Sequence, residues 1–196
     1  DSPTDQAAAA RAVDFHNGVF FGPVFRGEYP ESFMSALGHR MPEIEPGDME
    51  TISQPLDWWG LNYYTPMRVS HDPAEDAEYP ATVPAPPVVD IKTDISWEVH
   101  APALGDLVRK LNADYTLPDC YITENGACYN MGVTDGVVDD QPRLDYIAGH
   151  LGVTADLIGE GYPMRGYFAW SLMDNFEWAE GYRMRFGIVH VDYETQ

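Results

Sequence analysis

Glu124 follows the apolar, β-prone pair Tyr121-Ile122 and a threonine, a place where a carboxylate is costly unless something partners it. A second carboxylate, Glu177, lies among aromatic residues in Asp174-Asn175-Phe176-Glu177-Trp178. A partnered carboxylate at such a place suits cleavage of a glycosidic bond, which requires two carboxyl groups facing the sugar. A carboxylate among aromatic rings suits the hydroxyls and faces of a sugar. Alone, Glu124-Asn125-Gly126 is ambiguous, because Asn-Gly is also a common turn pair and Glu124 could be an exposed turn acid. Two further segments carry unusual chemistry at what read as strand ends, Asn62-Tyr63-Tyr64 and Trp170-Ser171.

The elements that must position these residues alternate along the chain. A helix is expected from Asp5 through Ala7 to Ala10 and Val13 towards Phe15, Phe20 and Phe21, broken by Gly22-Pro23 and Tyr29-Pro30. The run from Asp57 to Tyr64 has the make-up of a buried strand ended by Pro66, with Trp58 and Trp59 as core. Residues 68–98 hold prolines at 73, 80, 84, 86 and 87 without a sustained period, which reads as one long loop of the kind that carries function or moves.

Leu104, Leu107, Val108, Leu111 and Tyr115 form one apolar helical stripe. Cys120 to Thr123 reads as a strand that Glu124-Asn125-Gly126 leaves at a turn. A second helix presents Leu144, Ile147, Ala148, Leu151, Ala155 and Ile158 on one face and closes at Gly159, Gly161 and Pro163. Gly166 to Trp170 is another strand, and Gly187 to Asp192 a last extended piece. This alternation makes parallel β/α units. Three strands do not close a sheet, so the α/β class predicted is part of a (β/α)8 TIM barrel, which needs about 250 residues. A small open α/β sheet is the alternative.

The wider run Cys120-Tyr121-Ile122-Thr123-Glu124-Asn125-Gly126-Ala127-Cys128 resembles the nucleophile signature of family 1 glycoside hydrolases. Trp59-Gly60-Leu61-Asn62-Tyr63-Tyr64-Thr65, and the block from Gly166 through Trp170, Asp174 and Trp178 to Tyr182, match the same family in order and spacing. The resemblance covers nearly the whole chain, residues 1–196 as a partial barrel domain running from helix 5 through strand 8. It implies a retaining β-glucosidase in which Glu124 forms a covalent glycosyl-enzyme that water then hydrolyses. It further implies that Tyr64 donates a hydrogen bond to Glu124. Asn62, Trp170, Glu177, Trp178 and Phe186 would bind a terminal β-D-glucosyl residue of a β-glucoside or short β-linked oligosaccharide, with leaving-group specificity in loops such as 68–98.

A retaining enzyme also needs a carboxylic acid to protonate the leaving oxygen, and the family places it in an Asn-Glu-Pro motif ending the fourth strand. No Asn-Glu-Pro occurs in the 196 residues. The resemblance therefore implies a partner, the amino-terminal half of the barrel, without which the sheet edge is uncovered and the fragment inactive. Phospho-β-glycosidases of the same family would replace Glu177 by Ser, Met184 by Lys and Phe186 by Tyr, and none of the three is present. A thioglucosidase, or a sugar-binding scaffold that has lost catalysis, differs in the unseen acid.

Composition narrows the partners. A net charge of −21, with only Lys92 and Lys110 as lysines, makes nucleic acid and anionic membrane poor ones. No apolar run approaches the roughly 18 residues that span a bilayer, and Asp1 to Gln6 do not read as a signal peptide, so a cytoplasmic or otherwise soluble protein is expected. Cys120 and Cys128 lack metal-ligand spacing. No metal and no cofactor is expected.

Overall fold

A computed structural model describes residues 2–74 and 76–195. In chain order its elements are α1 (Pro3–Val13), a π-helical turn (Asp14–Gly18), α2 (Val19–Arg26), α3 (Glu31–Leu37), α4 (Asp48–Ile52), β1 (Trp58–Asn62), β2 (Val69–His71) and β3 (Thr82–Pro84). There follow α5 (Pro102–Asp114), β4 (Asp119–Asn125), the two-residue strands β5 (Val133–Thr134) and β6 (Val137–Val138), α6 (Gln141–Gly159) and β7 (Met164–Ala169). They form two compact units.

The first unit comprises residues 1–56, 67–87 and 113–116. Its first helix begins ahead of Asp5: Ser2 caps it, Pro3 opens it, and Asp5 closes a capping box with Ser2, the arrangement that satisfies free N–H groups at a helix start. The backbone N–H of His71 also donates to the Asp5 carboxylate at 3.0 Å. That bond, followed by those from Ser2, holds the Asp5 carboxyl down at about 2.

Gly22-Pro23 does not break this helix, contrary to the sequence expectation; α2 runs through Pro23 and ends at Gly27, whose φ is +70°. Proline disfavours a helical predecessor partly by clashing with its Cβ, and glycine has none. A Cβ on Gly22 would also lie 2.5 Å from the Glu28 carbonyl oxygen. Residues 68–98 are not one loop either. Val69 to His71 pairs antiparallel with Thr82 to Pro84 as a hairpin, and an isolated antiparallel bridge joins Lys92 to Glu98.

The second unit comprises residues 57–66, 88–112 and 117–196. It holds a three-stranded parallel sheet in the order β1-β4-β7, with α5 and α6 as the intervening helices. On α5 the predicted stripe is buried at Leu104, Val108 and Leu111. Trp59 is 6% exposed but Trp58 is 54% exposed, which corrects the reading of both as core: neighbours on a strand face opposite ways. The strand end after Thr123 is also corrected, since β4 continues through Glu124 to Asn125, which pairs with Ala169.

Helix α6 buries a face turned by roughly a quarter of the helix circumference from the one predicted, so that of the predicted stripe Ile147 packs against the core. Leu144, Leu151 and Ile158 are exposed, whereas Arg143, Tyr146, His150, Thr154 and Leu157 are buried. These polar residues can go inside because each finds a partner. The Arg143 guanidinium donates to the carbonyls of Ala127 at 2.5 Å and Tyr129 at 3.0 Å, and Nδ1 of His150 donates to the Tyr146 carbonyl at 2.7 Å. No helix among the described residues is long and apolar enough to cross a membrane.

His150 stacks on Tyr146 with ring centroids 4.0 Å apart, and burial pushes its pKa below the ordinary 6.5, an effect partly offset by the Tyr146 carbonyl. The unfolded chain therefore binds this proton more readily, so the ring's contribution to stability is full above about pH 6.5 and is lost as pH falls through the folded-state value. In the full-length protein, the fall in thermal midpoint from about pH 7 to 5 will be shallower in His150→Phe, which keeps the stack and loses the titration. Equal slopes would contradict this.

Candidate active site

The ends of β1, β4 and β7 converge on one mouth. The Tyr63 N–H donates to the Glu124 carbonyl at 2.9 Å, and the Trp170 N–H to the Asn125 carbonyl at 2.9 Å, so the three strands stay tied at their carboxyl ends. Their registers slip between Leu61 and Asn62 and between Ile122 and Asn125. Such irregularities re-aim side chains, and here they flank Glu124.

The Tyr64 hydroxyl donates to Oε2 of Glu124 at 2.7 Å. The contact has the length of a hydrogen bond between a hydroxyl and a carboxylate. Burial, then the bond to Glu124, raise the Tyr64 pKa well above its ordinary value, so the phenol keeps its proton and remains a donor.

A cavity of about 290 Å³ opens beside this pair, lined by Trp97, Trp170, Asn175, Phe176, Glu177, Trp178 and Phe186 together with Tyr64 and Glu124. It holds two carboxylates and no cation among the described lining residues. Burial raises the Glu177 pKa; the Trp170 side chain, hydrogen-bonded to it, pulls it back, and the charges of Glu124 and Glu180 push it up again. Trp178 is 81% exposed and adopts φ +44°. Tyr64, Trp97 and Phe186 form a cluster of three rings with centroids 5.5 to 6.1 Å apart.

Phe186 is held from behind. The buried Asp174 carboxylate accepts the N–H groups of Gly187 at 3.0 Å and Val191 at 3.1 Å and is paired with Arg185. The predicted extended piece from Gly187 makes one parallel bridge, Met173 with Val189. Ser171 donates its N–H to the Phe186 carbonyl at 3.1 Å.

Six of the seven residues singled out in the sequence, Tyr64, Glu124, Trp170, Glu177, Trp178 and Phe186, thus line one cavity. Asn62 is not among its lining residues; its amide oxygen accepts the Thr123 hydroxyl at 2.6 Å, at an exposed position. Trp97, Asn175 and Phe176 were not singled out. The signal for Trp97 was a lone tryptophan beside Glu98 in an otherwise irregular, proline-rich segment. No group of three His, Cys, Asp or Glu side chains converges as a metal site among the described residues.

The sequence model of Glycosyl hydrolase family 1 matches residues 1–196. The chain is 70% identical over 196 residues to a beta-glucosidase of Agrobacterium sp., covering all of this chain and 43% of that protein. It is 43% identical over 179 residues to beta-glucosidase A of Thermotoga maritima, covering 91% and 39%. Among solved structures it resembles virulence factor SghA of Agrobacterium tumefaciens, at 71% identity and a TM-score of 0.97, covering 100% of this chain and 43% of SghA. SghA has also been solved in complex with its substrate analog salicin. A family 1 β-glucosidase of Thermotoga maritima superposes with a TM-score of 0.92 at 40% identity, covering 100% and 43%. The chain thus spans less than half the length of these relatives. They are (β/α)8 barrels, and its three parallel strands are part of one. The chain belongs to glycosyl hydrolase family 1.

Proposed function

We propose that the chain supplies the nucleophile side of a retaining β-glucosidase, completed by the amino-terminal half of its barrel. The observation that carries the reading is the 2.7 Å hydrogen bond from Tyr64 to Glu124 at the edge of an aromatic-walled cavity. Tyr64 occupies Oε2, which orients the carboxylate and leaves Oε1 for attack on the anomeric carbon. The bond to the leaving oxygen breaks as the glycosyl ester forms, and water later cleaves the ester, so two inversions give retention.

Trp170, Trp178 and Phe186 offer the flat apolar faces that a pyranose ring covers, and Glu177 offers acceptor oxygens for its hydroxyls. The salicin complex of SghA favours an aryl β-glucoside as a substrate. The absence of a cation among the described lining residues favours an unphosphorylated sugar over a sugar 6-phosphate. Trp97 lines the cavity from the end of the 68–98 segment, which supports leaving-group contacts from that segment.

The test is intact mass of the full-length protein after exposure to a 2-fluoro β-glucoside with a dinitrophenolate leaving group, which needs no acid for departure. One 2-fluoroglucosyl adduct per chain, on the peptide bearing Glu124, is expected. A folded barrel that stays unlabelled, or is labelled elsewhere, would overturn the reading.

A further inference from the structure

Asn125 is fully buried and follows the proposed nucleophile in sequence. Its amide Nδ2 donates to the Tyr63 carbonyl at 2.7 Å and to the Tyr146 hydroxyl at 3.0 Å. Its Oδ1 accepts the Tyr167 hydroxyl. The Tyr146 hydroxyl in turn donates to the Tyr64 carbonyl at 2.8 Å. One amide therefore ties β4 to β7 and to the segment after β1, and one phenol on α6 completes the tie at the residue whose side chain holds Glu124.

These side chains act where the sheet is irregular. The backbone registers slip on both sides of β4 at this level, and the carbonyls of Tyr63 and Tyr64 are met by Asn125 and Tyr146. Buried polar networks with every member partnered rigidify their surroundings, and a shift of about 1 Å at reacting groups lowers rates about 100-fold. We propose that Asn125 and Tyr146 are positioning residues: they fix the backbone of Tyr63 and Tyr64 against β4 and so set the Tyr64–Glu124 hydrogen bond that aims the nucleophile. The inference rests on the reading of Glu124 as nucleophile.

The experiment is the kinetics of labelling of the full-length protein by the same 2-fluoro β-glucoside, in the wild type, Tyr146→Phe, Tyr167→Phe and Leu104→Ala. Tyr146→Phe keeps the ring stacked on His150 and removes one hydroxyl. Its maximal labelling rate is expected to fall about 10- to 100-fold with reagent affinity changed less than about twofold, since the sugar-facing side chains are untouched. Tyr167→Phe frees the other end of the Asn125 amide and is expected to lower the same rate by a smaller factor, which keeps the proposal testable if Tyr146→Phe fails to fold. Leu104→Ala opens a core cavity on α5 and lowers the thermal midpoint without lowering the rate.

Labelling of Tyr146→Phe and Tyr167→Phe at the wild-type rate would overturn the positioning role while leaving Glu124 as nucleophile. A loss in Leu104→Ala as large as theirs would overturn it too, by showing the effect to be one of stability. A wild type that takes no label overturns the nucleophile reading and this inference with it.

Discussion

Glu124→Gln, in the full-length protein, is expected to lower hydrolysis of an aryl β-glucoside by at least about 10⁴-fold, the scale on which loss of a nucleophile is felt. Glutamine keeps the length of the side chain and an oxygen able to accept the Tyr64 hydroxyl, which now lies 2.7 Å from Oε2. The fold and the cavity walls at Trp170 and Glu177 should survive, so the loss reports the missing carboxylate. Glu124→Gly removes the side chain altogether, and with an activated dinitrophenyl β-glucoside added azide can enter the space it leaves. Azide attacks the anomeric carbon once as dinitrophenolate departs, so the product is the α-glucosyl azide, inverted because only one displacement occurs. Recovered turnover with that stereochemistry marks position 124 as the nucleophile's place. Glu124→Gln activity within tenfold of wild type, or a β-azide product, would remove it from that role.

How much of this was legible in the chain depends on which physical signal each residue sends. Glu124 and Tyr64 stand at the ends of β-prone runs, and barrel geometry sends strand ends to the mouth, but the roles expected of them and of Glu177 come from the family resemblance of the segments around them. Helix α6 was legible as a helix but not in its orientation. Hydropathy favours burying Leu144, Leu151 and Ile158, yet the structure buries Arg143, Tyr146 and His150. Their carbonyl partners Ala127, Tyr129 and Tyr146 are set by tertiary and helical geometry that periodicity does not encode.

The same limit hid the work of Asn125. Asn-Gly signals a turn, and the sequence alone gives no reason for the amide to remain in β4 with partners on Tyr63, Tyr146 and Tyr167. Trp97 was hidden otherwise. Proline spacing marks residues 68–98 as irregular, but only the fold brings residue 97 within ring contact of Tyr64 and Phe186. Asn62 belongs to the same compact segment as Tyr64, but beyond the register slip after Leu61 its amide oxygen meets the Thr123 hydroxyl, a pairing across strands that the segment alone does not specify.

Gly126→Ala should be the most disruptive single methyl that this site can receive. A Cβ at position 126 would lie 1.8 Å from the Trp170 carbonyl oxygen and 2.9 Å from its carbonyl carbon, whereas comfortable carbon contacts begin near about 3.5 Å. Both partners are backbone, so no side chain can swing aside. The Trp170 N–H is also bonded to the Asn125 carbonyl at 2.9 Å, so separating the strand ends by the missing distance breaks the tie between β4 and β7. Overpacking of an ordinary core site costs about 1 to 3 kcal/mol; with that tie lost as well, about 3 kcal/mol or more is expected here. Because the residues displaced are Trp170 and the neighbours of Glu124, which line the cavity, molecules that do fold should also label poorly with the 2-fluoro β-glucoside. Gly132→Ala is the control, since a Cβ there meets nothing within 4 Å, and its thermal midpoint and labelling should match the wild type. If Gly126→Ala melts and labels like Gly132→Ala, then β7 does not press against β4 as the geometry requires, and the close approach that seats Trp170 beside Glu124 is wrong.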